Sequence, residues 1–115
     1  MRRWLILALT IAAAPAWAAP PPRIADLWYA HNASLIMLGA ADRIAVTVDS
    51  PTQQPWMYRV APAMNRALVV TAEPANAETL LAARIGLAFV GRPAEAERLT
   101  RLGVAAKAFP FTDVA

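Results

Sequence analysis

The chain of 115 residues has no cysteine, one histidine and four glycines, and its serines are confined to Ser34 and Ser50. Without cysteine there are no disulfides, no thiol chemistry and no lipidated cysteine at a processed terminus. A single histidine with no thiolate beside it falls short of a metal site built from protein ligands alone. The few glycines form no phosphate-cradling loop. Neither serine sits in a Gly-x-Ser-x-Gly elbow, and His31 has no adjacent acid to orient it, so the chain is not expected to be an enzyme. Charge is sparse too, at 17% of residues against 58% hydrophobic, which excludes a disordered or tail-like polymer. Eleven basic residues face eight acidic ones, and Arg2 and Arg3 lie in a leader-like segment. The other arginines, Arg23, Arg43, Arg59, Arg66, Arg84, Arg92, Arg98 and Arg101, read as scattered, without interleaved aromatics, so no nucleic-acid partner is expected.

What is present begins with a leader. Met1-Arg2-Arg3 is a positive start, Trp4 to Ala14 an apolar run about half the ~20 residues that a spanning helix needs, and Ala16-Trp17-Ala18 a small-residue cleavage site. Residues 1–18 therefore read as a signal peptide, with export to the periplasm and a mature start at Ala19. The segment 19–22, Ala19-Pro20-Pro21-Pro22, is a stiff spacer, and residues 23–115 hold at most one small domain.

Ile24, Leu27 and Trp28 predict a first strand, Tyr29 to Asn32 a loop, and Ala33 to Leu38 a helix capped by Asn32 and stopped at Gly39. Ile44 to Val48 is a β-branched strand. Proline and polar residues from Asp49 to Pro55 open a long second loop that carries Trp56, Met57, Tyr58 and Arg59, followed by a short apolar run at Ala67 to Val70. Asn76 caps a helix with Glu78 in its first turn and Leu80, Leu81 and Ala83 on its buried face. Leu87 to Val90 is a buried strand. Pro93 opens a helix over Ala94 to Leu102, buried through Ala96, Leu99 and Leu102, with Glu97 and Arg101 spaced to pair and Glu95 and Arg98 on a solvated face. Gly103 ends it, and Val104 to Phe109 is the last strand. Alternating strand and helix signals predict an α/β fold with a mostly parallel sheet of about four or five strands flanked by helices.

The order of Arg23-Ile24, Leu38-Gly39-Ala40-Ala41-Asp42-Arg43-Ile44, Asn76-Ala77-Glu78-Thr79-Leu80-Leu81-Ala82, Leu87-Ala88-Phe89-Val90 and Leu102-Gly103-Val104 resembles the N-terminal lobe of periplasmic solute-binding proteins. These serve ABC importers of iron-siderophores, cobalamin and related metal complexes. The chain departs from that pattern in carrying Ile85-Gly86 where the family has a Pro-Asp pair. The resemblance implies a Rossmann-like lobe, a missing C-terminal lobe and connecting helix, a metal chelate (an iron or nickel complex, or cobalamin) as the transported ligand, and the importer's permease as partner. It also implies that Tyr29, His31 and Asn32 stand at the cleft floor, with His31 able to reach a metal or a siderophore oxygen.

Trp56, Tyr58 and Arg59 offer an apolar wall and a cation for an anionic ferric chelate, or else they pack on the sheet edge. By the same resemblance, Glu78 matches an acidic knob that docks on the permease; its plain alternative is favourable helix-dipole chemistry. A free-standing exported α/β interaction module, binding a protein through an open sheet edge, is the alternative to a transport role.

Overall fold

A computed structural model describes residues 20–71 and 74–109. The expected signal peptide and the segment after Phe109 lie outside the described residues. Five parallel strands form one sheet in the order β3-β2-β1-β4-β5: β1 Ile24–Asp26, β2 Ile44–Thr47, β3 Leu68–Val69, β4 Leu87–Val90 and β5 Ala106–Ala108. The helices are α1 Tyr29–Met37, α2 Pro55–Val60, α3 Ala77–Ala82 and α4 Pro93–Arg101. The chain winds outward from β1 to β3, returns across the sheet and continues to β5. That path puts α1 and α2 on one face and α3 and α4 on the other, as right-handed crossovers require. The expected α/β class, parallel pairing and strand number all hold.

Each face has its own core. On the α3/α4 face, Ala25, Val46, Ala88, Val90, Leu80, Leu99 and Val104 pack together. On the α1/α2 face, Ile24, Leu35 and Ile44 form one cluster and Met57, Tyr58, Ala61 and Met64 another. Pairing between β1 and β2 shifts after Ile24, so that Ile24 faces Ile44 but Ala25 faces Val46 and Asp26 faces Thr47. The extra residue, Ala45, acts as a bulge. It sends Ile44 to one core and Val46 to the other, and it sets Thr47 beside Asp26 on the α1 face.

Several boundaries move from those expected. Helix α1 starts at Tyr29, with Trp28 as a cap residue that contributes no side-chain bond, so Tyr29 to Asn32 is helix rather than loop. Asn32 does not cap it. Its side chain is fully buried against β2, where Nδ2 donates to Thr47 and Asp49 while Oδ1 has no partner among the described residues. Trp56 to Arg59 is likewise helical, because Pro55 occupies the first helical position with its φ already set. The Gly39 and Gly103 stops hold, with φ of +76° and +94° that residues with a Cβ rarely adopt, and Asn76 caps α3 by accepting the Glu78 N–H. Leu81 and Leu102 are exposed rather than buried, since α3 and α4 each bury a narrower stripe than their leucines suggest. Pro22 is more than a spacer, because its carbonyl accepts the Arg43 Nε–H at 3.2 Å.

Glu95 and Arg98 also depart from the solvated face expected of them. Glu95 is buried and accepts the Ala75 N–H at 3.0 Å, while Arg98 binds both Glu95 carboxylate oxygens and the Ala75 carbonyl. The pair grips both polar groups of one residue's backbone and fixes the lead-in to α3. Arg98 holds the Glu95 carboxyl below its usual pKa, against the opposing effect of burial.

Candidate functional site

Open parallel sheets present ligand sites beyond the carboxyl ends of their strands, near the point where strand order reverses. Here that point lies between β1 and β4. The chain leaves β1 through Leu27, Trp28 and Tyr29, leaves β2 through Val48, Asp49 and Ser50, and leaves β3 through Val70 and Thr71. Together with Thr52, Gln53 and Gln54 these residues line a cavity of about 910 Å³, the size range of small-molecule sites. A second cavity of about 270 Å³ shares Leu27, Val70 and Thr71 with it and continues toward the start of α3. Trp28 bridges to the β4 side. Gly91 lies so close to the indole that a Cβ there would sit 3.2 Å from Trp28 Cδ2, which makes glycine the residue that lets the ring approach the end of β4.

Behind the cavity wall stands a buried polar cluster. Asn32 Nδ2 donates to Asp49 Oδ2 at 2.7 Å and to Thr47 Oγ1 at 3.3 Å. Thr47 Oγ1 accepts the Asp49 N–H at 3.1 Å, and Tyr58 Oη donates to the Asp49 carbonyl at 2.5 Å. Asp49 is therefore held from α1, from α2 and from the last residue of β2, so the loop carrying the rim is anchored at one residue. Burial and the nearby Asp49 raise the Tyr58 pKa, keeping the phenol protonated as a donor.

Asp26 is the residue that the sequence reading missed. It is fully buried at the end of β1, its Oδ1 accepts only a long bond from the Trp28 N–H at 3.4 Å, and its Oδ2 has no partner among the described residues. Burial first, and the Asp49 carboxylate second, push its pKa from 3.8 up to about 8. At neutral pH this carboxyl keeps its proton. An aspartate inside a strand-end apolar pattern, where strand residues are seldom charged, was the available signal.

The expected site residues separate into groups. Tyr29 lines the rim cavity and is well exposed. Asn32 and Tyr58 stand behind the wall, their donors spent on Asp49 and Thr47. Trp56 is half exposed, with its indole N–H donating to Gln54 Oε1 at 3.1 Å, so it touches the rim through Gln54. Arg59 is exposed on α2 and does not line the cavity. His31 departs from the expected convergence. It turns to the β4 side, among Trp28, Phe89 and Phe109, and lines a separate apolar groove of about 360 Å³ with Ser34, Leu35 and Leu38. The reason is helical: Tyr29 and His31 are two residues apart on α1 and so face different directions. Burial lowers the His31 pKa and favours the neutral ring, with the Phe109 backbone acting weakly the other way. Glu78 is exposed in the first turn of α3, as expected.

Comparison with known proteins found no match: no family model, no curated protein and no solved structure resembles this chain significantly. Among the described residues no three metal-ligating side chains come together, and no helix is long and apolar enough to cross a membrane. What the rim can do is bind: it offers an aromatic wall, neutral hydrogen-bonding side chains from Ser50, Thr52, Gln53, Gln54 and Thr71, and one anchored carboxylate.

Proposed function

We propose that this chain is the ligand-capturing N-terminal lobe of an exported solute-binding protein that delivers a metal complex, such as an iron-siderophore or cobalamin, to an ABC importer permease. The observation that carries the reading is the cavity of about 910 Å³ at the carboxyl rim, on a doubly wound parallel sheet where such ligands bind. Tyr29 and Trp28 supply a flat apolar surface, and the glutamines and hydroxyls supply hydrogen bonds suited to the periphery of a large chelate. Asn32 and Tyr58 support the reading from behind, since locking Asp49 lowers the entropy that the rim loses on binding. A second lobe would cover the rim and complete the contacts; Glu78 on the exposed start of α3 is the proposed permease contact. A free-standing exported interaction module is favoured by one observation, the half-exposed Leu68 and Val69 on the edge strand β3.

Tryptophan emission separates the two. Addition of ferric hydroxamate or cobalamin to the purified chain should quench it saturably, and Trp28→Phe should remove most of the saturable part. Emission that changes only linearly with added complex, identically in both proteins, contradicts solute binding and favours the interaction module.

A further inference from the structure

The arginines that look scattered along the chain are gathered by its topology. Arg23 stands immediately before β1, Arg43 immediately before β2, and Arg66 two residues before β3. Because these strands are adjacent and parallel, all three positions meet at the amino-terminal edge of the sheet, the edge opposite the solute cavity. They line a cavity of about 240 Å³ with Asp42 and Ala63. Asp42 is the one carboxylate there, and no ion pair ties it to an arginine among the described residues.

Two of the guanidinium groups are held in place through a single nitrogen. Arg23 Nε donates to the Ala83 carbonyl at 3.0 Å, and Arg43 Nε donates to the Pro22 carbonyl at 3.2 Å. Each keeps its terminal amino groups, in the planar fork that matches carboxylate and phosphate oxygens. Arg66 is exposed and makes no side-chain hydrogen bond within the described residues. Three cations against one carboxylate, two of them braced in orientation, make a pocket for an anion. With a water occupying about 30 Å³, the cavity has room for a tetrahedral oxyanion and one substituent.

We propose that this edge is a phosphate-type oxyanion site, in which Arg23, Arg43 and Arg66 bind the oxygens of a phosphate group carried either by a free anion or by a phospholipid headgroup. It lies apart from the rim cavity and does not depend on the solute reading.

The test titrates the purified chain with inorganic phosphate, following backbone amide resonances, and measures co-sedimentation with vesicles of phosphatidylcholine alone or mixed with phosphatidylglycerol. Saturable shifts at Arg23, Ile44 and Arg66, weakened about tenfold or more in Arg66→Gln, support the site. Shifts with phosphate but no vesicle binding assign a free anion. Sedimentation only with phosphatidylglycerol, lost in Arg66→Gln, assigns a headgroup. Arg66→Gln is the chosen variant because its side chain makes no bond on which the fold depends; an unchanged circular dichroism spectrum and melting temperature check this. Binding to neither probe, binding unchanged in a folded Arg66→Gln, or shifts confined to Tyr29 and Gln54 would overturn the proposal.

Discussion

Replacing Asp26 with asparagine should make the protein more stable, and increasingly so as pH rises. Asp26 is fully buried with one oxygen unpartnered, and its pKa moves from 3.8 to about 8 on folding. Between those values the folded chain holds a proton that the unfolded chain has released. Stability from this group is therefore complete below pH ~4, falls as pH rises, and levels off above about 8. At ~1.4 kcal/mol per pH unit the ceiling on the loss is ~6 kcal/mol. His31 has the opposite sign, because its folded pKa is lowered from 6.5 and its contribution grows as pH rises toward that value. The interval from pH 7 to 8 consequently isolates Asp26. The Asp26→Asn variant keeps the side chain's shape and removes its charge, so urea unfolding of both proteins at pH 5, 6, 7 and 8 should show the variant gaining on the wild type with each step. Parallel curves, or a wild type that becomes more stable between pH 7 and 8 than the variant does, would refute the reasoning that Asp26 is buried as an acid.

Asn32→Ala removes the donor to Asp49 and Thr47 and should cost ~1–3 kcal/mol in urea unfolding, since buried acceptors are left bare. Gly91→Ala places a Cβ 3.2 Å from the Trp28 ring; the expected result is a loss of ~1–3 kcal/mol from overpacking with a shifted tryptophan emission maximum. Glu95→Ala should lose ~1–3 kcal/mol at neutral pH by freeing the buried Ala75 N–H. Because Arg98 lowers the Glu95 pKa from 4.5, the wild type's advantage over Glu95→Ala should be full above pH 4.5 and shrink as acid is added, which unfolding at pH 5, 4 and 3 would show.

The fold was legible because its signals are local and repeated. Glycine at 39 and 103, proline at 93 and asparagine at 76 punctuate the chain, and the β-branched or apolar runs between them alternate with helical ones. Boundaries near the site were harder to read for a physical reason. Asn32 has the chemistry of a cap but lies one turn inside the helix, where its Nδ2 binds Thr47 and Asp49 at the end of β2 and its Oδ1 is left without a partner among the described residues. Trp56 to Arg59 looked like loop because the helix is short and Pro55 opens it without a polar cap. Tyr29 lines the rim cavity and His31 a separate groove, because nearness along the chain is not nearness of direction on a helix. Asp26 and the arginine cluster needed register. Only the bulge at Ala45 shows that Asp26 lies beside Thr47, and only the parallel order of β1, β2 and β3 brings Arg23, Arg43 and Arg66 to one edge.

Whether the carboxyl rim of the sheet is a solute site decides the functional reading. Amide resonances of the isotope-labelled chain, recorded during titration with cobalamin, which is diamagnetic, test it most directly. A solute site there predicts saturable shifts concentrated at Trp28, Tyr29, Ser50, Gln53, Gln54 and Thr71. Resonances that stay fixed at that rim at saturating cobalamin, or that move instead around His31 and Leu38, would contradict it.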